Sequence, residues 1–427
     1  MDPDAESKHV SEAGDMGDGV FHSFRHSLRG SLYLPSDTNL KNEDVVSNPG
    51  VHKFRPYPGK SNSVSSIGPF PSEMVSPLLS IEREGSEHIK QESHKKLPKL
   101  LHYALCLVHL AVFAILGVLT RYILGKLFGP GVGRLTSDQT ILYLDLPSNM
   151  VGSFMMGWFG VEFKADISNV SEYLVMALTT GYLGSLTTFS GWNQKMLELS
   201  VNGNWLLCVL GFLIGLFLVA FSITFGIETA KGFRWLLRKL NVSSGSETCR
   251  SKINEKVEGG LKHHLVVMVV LLLVLGLFLG ISGVLMDAEF KNGGNSTVLW
   301  IACIVGPPGV WIRWLLARLN GCGLGATGLL NWIPFGTLIA NVSAAFFMAA
   351  LATMKKFVNT RNCDVILSGI QFGFLGCLST VSTFASEFNA MRESMHPWRA
   401  YAYTMITICA SFFLGILIYC IPIWRME

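Results

Sequence analysis

The sequence predicts an all-α polytopic membrane protein made of two inverted four-helix repeats joined by a single linker helix. Three observations carry that reading. Half of the 427 residues are hydrophobic, only 15% are charged and mean hydropathy is positive, whereas a soluble chain of this length needs a more polar surface. Nine apolar segments each approach the ~20 residues needed to cross a bilayer. Landmarks recur at one offset of 192 residues, pairing Arg121 with Arg313, Asn149 with Asn341 and Gly181 with Gly373. A constant offset without gaps means that one module occurs twice. Duplicated membrane modules place their binding sites where the copies meet.

Taken in order, residues 1–97 are rich in Ser, Gly, charged residues and His, without sustained periodicity. Such a stretch cannot bury enough apolar surface to offset its ordering entropy, so a disordered cytoplasmic tail is expected. Its first residues lack the charged-then-apolar layout of a secretory signal. The first repeat, 98–230, holds spans near 101–128, 141–161, 172–196 and 205–227. Residues 231–290 comprise a basic cytoplasmic loop and the linker helix, 263–286. The second repeat, 291–427, holds spans near 298–318, 332–353, 365–390 and 400–422.

Four crossings return the chain to its starting side, and the linker crosses once more. The second repeat therefore begins on the opposite side and is inverted. Lys90, Lys95, Lys96 and Lys99 precede the first span, and eight cations from Lys231 to Lys262 precede the linker. Both groups lie on one side, which charge bias assigns to the cytoplasm. That places the N-terminus inside and the C-terminus outside. Lys355, Lys356 and Arg361 fall outside and run against the bias. The Asn295-Ser296-Thr297 sequon falls in an outer loop.

Several function classes are excluded. A net charge of +4 is too weak for a nucleic-acid surface. The nine cysteines form no C-x-x-C pair and read as small buried residues or reduced thiols. Seven of the eleven histidines sit in the tail or at its edge, and no catalytic constellation occurs in a span. The chain therefore does not read as an enzyme. A proton-coupled multidrug exporter needs a titratable carboxylate within the membrane, and neither first span contains Asp or Glu.

Matched motifs concentrate in three spans of each copy. The first spans carry G-x-x-x-R, from Gly117 to Arg121 and from Gly309 to Arg313. These arginines either snorkel to the interface or form an anion-attracting vestibule. Asn149 and Asn341 lie within apolar second spans and serve either an interhelical hydrogen bond or a pore. The third spans read GYLGSLTTFSGWNQK from 181 and GFLGCLSTVSTFASE from 373. Paired glycines followed by a hydroxyl cluster suit a helix that breaks within the membrane, where freed carbonyls must be satisfied. A monovalent cation between two such breaks is one way to satisfy them.

These motifs, in this order and in both copies over about residues 100–422, resemble the fluoride channels and eukaryotic fluoride exporters (Fluc/FEX). The resemblance implies a monomeric pseudo-dimer with antiparallel pores. It also implies a structural sodium ion held by backbone carbonyls of Gly184, Thr187, Gly376 and Ser379. Each pore of the family uses two phenylalanines, one from each copy. Here Phe189 and Phe384 complete one pair, while Val381 and Trp192 stand at the other. One competent and one degenerate pore are expected.

The fourth spans are asymmetric in the same sense. Tyr403, Thr404, Thr407 and Ser411 share one helical face, but the matching residues of copy one are Gly211, Phe212, Gly215 and Val219. With Ser382 and Thr383 they form a candidate hydroxyl wall. Hydroxyls and amides can donate to fluoride, and the positive edges of Phe189 and Phe384 can face an anion. The expected activity is passive fluoride export across the plasma membrane, with a fluoride/proton antiporter as the alternative. Glu387 and its counterpart Lys195 are ionisable residues whose orientation the sequence leaves open.

Overall fold

The computed structural model describes residues 99–137, 140–243, 261–294, 296–321 and 330–426. The polar tail and the Asn295 sequon expected from sequence lie outside the described residues.

Helix α1 (Lys99–Phe128) is the first span. Helix α2 (Leu146–Met156) starts with a proline in its first turn, where a missing N–H leaves no bond unmade, and runs on as a π turn over Gly157–Glu162. Helix α3 (Lys164–Val170) is short. Helix α4 covers 172–186; the Ser171 hydroxyl caps it by accepting from the Leu174 N–H, and a π segment, Ala177–Leu183, lies within it. Helix α5 (Phe189–Val201) follows, capped by Thr188, and then the long α6 (Trp205–Ser243). The linker is α7 (Leu261–Asn292). The second repeat comprises α8 (Thr297–Ala317), α9 (Phe335–Val358), α10 over 361–378 with its π segment Gln371–Leu375, α11 (Ser382–Arg392) and α12 (Trp398–Gly415).

Among the described residues, seven helical stretches are long and apolar enough to cross a membrane. The spans expected at 141–161 and 172–196 are assembled from shorter pieces, because a π turn divides one and a break divides the other. A second departure concerns the basic loop expected from 231. Helix α6 carries on to Ser243, so the first part of that segment is helical. Local partners extend it. Arg234 pairs with Glu162 at 3.2 Å and Asp166 at 2.5 Å, and the Phe233 ring packs on Trp158 at 5.4 Å. Residues 244–260 lie outside the described set.

The copies are antiparallel. Tyr103 near the start of α1 meets Trp314 near the end of α8, with ring centroids 6.1 Å apart. Trp205 at the start of α6 meets Trp424 beyond the end of α12 at 6.0 Å. The linker α7 is almost unburied over its apolar window, as expected of a helix that mainly faces lipid.

Close packing explains the G-x-x-x-R motif. A Cβ on Gly117 would stand 2.6 Å from the Tyr182 carbonyl, and one on Gly309 would collide with the Phe374 carbonyl. The glycines thus seat each first span directly on the backbone of its own third span. The arginine one turn later is then carried to the other copy.

Replacing Gly309 by Val is expected to cost about 1–3 kcal/mol through overpacking. Gly280, on the linker with nothing within 4 Å of its Cα face, is expected to accept Ala without loss. Thermal midpoints of the two purified variants check this contrast.

Candidate functional site at the crossed broken helices

Both third spans break at matching positions. After Leu186 the chain becomes extended, with Thr187 at φ −103°, ψ 147° and Thr188 at φ −141°, ψ 126°. After Leu378, Ser379 takes φ −85°, ψ 161°, and α11 begins at Ser382. A break in a membrane interior leaves backbone groups that no bulk water can satisfy, so each needs a protein or ion partner.

Asn149 and Asn341 supply the first partners. Asn149 Oδ1 accepts the Thr188 N–H at 2.8 Å and Nδ2 donates to the Thr188 carbonyl at 3.1 Å. Asn341 does the same for Thr380 at 2.8 and 3.0 Å. Each amide stands in for a missing backbone neighbour. Asn149 Nδ2 also donates to the Tyr143 hydroxyl at 3.0 Å, so both its N–H groups are engaged within the protein. Both asparagines thus make the interhelical hydrogen bond, and Asn149 keeps no N–H for an ion.

The second set of partners is exchanged between copies. Thr187 Oγ1 accepts the N–H groups of Val381 at 3.1 Å and Ser382 at 3.0 Å. Ser379 Oγ accepts the Ser190 N–H at 3.1 Å. Ser190 Oγ donates to the Leu375 carbonyl at 3.3 Å, and Ser382 Oγ to the Leu183 carbonyl at 3.1 Å. Each copy therefore caps the half-helix of the other. Ser382, expected on the pore wall, belongs instead to this junction because its hydroxyl is held there. Thr383 is half-buried, and its Oγ1 accepts from Thr380 at 3.4 Å.

Diverting two N–H groups has a consequence for carbonyls. In a continuous helix Thr188 would bond to Gly184, and Thr380 to Gly376. Both N–H groups go to asparagine instead. That releases two glycine carbonyls at the partially negative ends of α4 and α10. With the carbonyls of Thr187 and Ser379 they are neutral, hard oxygens of the kind an alkali cation accepts.

Arg121 crosses to copy two, donates to the Phe372 carbonyl and lies 4.3 Å from the centre of the Phe372 ring. Arg313 donates to the carbonyls of Thr180 and Cys377, both at 2.8 Å. Their guanidinium groups occupy the space over the Cα atoms of Gly376 and Gly184 respectively, where a Cβ would stand. The second glycine of each Gly-x-x-Gly is thus a seat for the opposite arginine. Both arginines are buried, which excludes snorkelling. Arg121 also lines a cavity of about 1070 Å³ together with Thr188, Gly191, Gln194 and Lys195. Arg313 is a brace between the copies.

Phe189 and Phe384 are buried with ring centroids 6.1 Å apart. The Tyr403 ring lies 5.3 Å from Phe384. Thr404, Thr407 and Ser411 continue along α12, all buried. Thr404 and Thr407 donate to the carbonyls one turn earlier, at 2.9 and 2.8 Å. Behind Phe384, Glu387 accepts from Thr337 at 2.5 Å and from the Tyr403 hydroxyl at 2.7 Å. Lys195 faces the cavity and pairs with Glu198 at 3.4 Å.

The matching place on the other side is filled. The Trp192 ring stacks on Tyr143 at 5.9 Å and occupies the space over Gly215, while the Met196 sulfur occupies that over Gly211. Those glycines stand where copy two has Thr407 and Tyr403. Trp192, Val381, Ala385 and Val219 belong to one apolar cluster. Phe189 belongs to the same cluster, its ring centroid 6.0 Å from that of Trp192.

The family model described as CrcB-like protein, Camphor Resistance (CrcB), matches residues 108–227 and again 300–419, more than half the chain and at the same 192-residue offset. The chain belongs to the CrcB-like family. Curated relatives of this CrcB-like chain include the fluoride-specific ion channel FluC of Geobacter metallireducens, 32% identical over 127 residues that cover 30% of this chain and 98% of that protein. The FluC of Geotalea uraniireducens is 31% identical over 133 residues, 30% of this chain and 90% of its own. FluC 2 of one Listeria monocytogenes strain is 31% identical over 124 residues, 27% and 85% respectively. No solved structure matches the chain. Each relative has the length of one repeat, so the CrcB-like chain corresponds to two of them in series.

Sequence reasoning missed Tyr143. Its hydroxyl holds Asn149 and its ring backs Trp192. The only signal was an asymmetry at the repeat offset, where copy two has Phe335.

Replacing Thr187 by Ala is expected to cost about 1–2 kcal/mol, because two N–H groups lose their cap, whereas Thr187→Ser keeps the acceptor. Urea or thermal unfolding of both variants checks the difference.

Proposed function

We infer that the protein is a fluoride-selective channel, not an enzyme, that lets cytoplasmic fluoride leave passively across the plasma membrane. The chain works as a monomer, and lipid surrounds its outer helices. The observation that carries this reading is the Phe189–Phe384 ring pair, 6.1 Å apart, beside the Tyr403–Ser411 wall, while the matching side is closed by Trp192. The names of the curated relatives support the ion. Fluoride is small and strongly hydrated, so its pathway must replace water with hydrogen-bond donors and carry no fixed charge that would hold it. Ring edges and the unpartnered Ser411 hydroxyl can meet that need, whereas the hydroxyls of Tyr403, Thr404 and Thr407 and the Asn149 amide donate within the protein.

Hydrogen fluoride enters cells as the neutral acid and dissociates at cytoplasmic pH. The trapped anion is then driven out by an inside-negative potential worth about 2.3 kcal/mol per charge per 100 mV. The orientation consistent with this reading places the basic end of α6 inside. Lys355, on the outer side, is neutralised by Asp364 at 2.9 Å, which removes part of the opposing charge bias.

The carbonyls of Gly184, Thr187, Gly376 and Ser379 fit a structural sodium ion. Such an ion would supply fixed positive charge between the half-helices. Replacing sodium by a large organic cation is expected to slow fluoride efflux and lower the thermal midpoint together, and restoring sodium is expected to reverse both.

Buried Glu387 favours a second reading, a fluoride/proton antiporter on the same fold. Fluoride efflux from proteoliposomes, with a potassium ionophore setting the voltage and no pH gradient, separates the two. A channel gives rapid efflux that is lost in Phe384→Ile and kept in Val381→Ala. Efflux that requires a proton gradient gives the antiporter, and equal rates in all three proteins remove the assignment of the ring pair.

A further inference from the structure

Helix α6 is longer than a bilayer crossing requires. Its 39 residues rise about 58 Å, against ~30 Å of hydrocarbon. Phe217, Phe221 and Phe225 form an exposed stripe along it that faces lipid. The first charges met along that stripe are Glu228 and Lys231, paired at 3.1 Å, and they mark the edge of the hydrocarbon. The helix continues past them to Ser243.

Beyond that edge the two sides of α6 differ. On one side Arg234 is held by Glu162 and Asp166, with its guanidinium 4.9 Å from the centre of the Phe163 ring. That side is docked on copy one and its charge is matched. On the other side Lys231, Trp235, Arg238 and Lys239 recur at the spacing of one helical face, and all four are exposed. Trp235 lies about five turns from Phe217, so this face continues the lipid-facing stripe. The Lys239 ammonium stands 5.1 Å from the centre of the Trp235 ring. Arg238 has no ion-pair partner among the described residues. Three cations therefore share the face with one acid, Glu228.

Ordinary anchoring places a tryptophan and a lysine together at the hydrocarbon edge. Here a regular helix sets them at different heights. Measured from Lys231 along the axis, Trp235 stands about 6 Å farther from the hydrocarbon, Arg238 about 10 Å and Lys239 about 12 Å. A simple phospholipid offers one phosphate at one depth. A phosphorylated inositol lipid offers a phosphodiester beside the glycerol, then a sugar ring, then a phosphomonoester several ångströms farther out. The order of charge, ring and charge on the lipid is the order on the helix.

We propose that the basic end of α6 binds a phosphorylated inositol lipid, with Lys231 at the phosphodiester, the Trp235 ring against the inositol, and Arg238 and Lys239 at the phosphomonoester. The Lys231–Glu228 pair is solvent-exposed, so exchanging it for a phosphate costs little. Arg238 can meet a phosphate with two parallel N–H groups, and Lys239 adds a point charge beside it. Cations just outside a span are drawn to anionic lipid, and this set is already held in one line by the helix. The surface is remote from the ring pair, and its assignment does not depend on which ion the protein carries.

The test is native mass spectrometry of the purified full chain offered phosphatidylinositol 4-phosphate and phosphatidylserine in equal amounts. The wild type is expected to hold the inositol lipid about tenfold more tightly. Arg238→Gln/Lys239→Gln is expected to lose that preference, and Trp235→Ala to weaken it about threefold. Lys126→Gln/Lys291→Gln removes the same charge at the opposite ends of two other helices and is expected to leave the preference unchanged. All these side chains are exposed or at helix ends, and the thermal midpoint of each variant checks that it folds. Equal binding of the two lipids by the wild type overturns the site. So does an Arg238→Gln/Lys239→Gln variant within about twofold of the wild type. A Lys126→Gln/Lys291→Gln variant as weak as that one also overturns it, since net charge alone would then account for the binding.

Discussion

Everything near the centre depends on the reciprocal capping of two broken helices. A helix interrupted in lipid exposes amides and carbonyls that only neighbours can satisfy. Here the neighbours come from the opposite copy. Thr187 holds the start of α11, and Ser379 holds the start of α5. Each break draws its caps from the other copy, so the interface between copies and the interruption of their helices are one feature. The asparagines close the inner edge of each break, and the arginines cover the glycines beside it.

The breaks bring oppositely polarised groups into a small volume. The released carbonyls of Gly184 and Gly376 favour a cation at the centre. The N-terminal ends of α5 and α11 favour an anion nearby. Helix ends alone can thus make neighbouring regions of opposite preference, with Glu387 the buried acid next to the ring pair. The π segments of α4 and α10 lie just ahead of the breaks and match one another in position. They widen the last turns where glycine backbones meet the first spans.

Much of this was legible in the sequence because duplication supplies an internal alignment. The offset that pairs Asn149 with Asn341 also exposes the complementary placing of Phe189 and Phe384. The break was legible from Gly-x-x-Gly followed by hydroxyls, since few other uses of that pattern suit an apolar segment. The destinations of side chains were not. Whether Asn149 faces an ion or the Thr188 backbone depends on a separation of a few ångströms that no spacing rule contains. Ser382 read as wall, and its place at the start of α11 instead aims its hydroxyl across the interface to the Leu183 carbonyl. Arg313, which read as either snorkelling or vestibule, is buried and reaches the Thr180 carbonyl of the other copy. The length of α6 was missed because its charged end is polar enough to read as a loop, and only the pairing of Arg234 shows otherwise.

The unlike partners of the aromatic pair bear on the history of the chain. A homodimer of the first repeat would present Phe189 opposite a second Trp192, and one of the second repeat would present Val381 opposite Phe384. Neither half could rebuild the mixed ring pair by self-association. Once Trp192 had settled over Gly215, and Met196 over Gly211, several coordinated changes would be needed to reopen that side. The two halves are therefore specialised and not interchangeable, and covalent linkage guarantees that each meets its unlike partner.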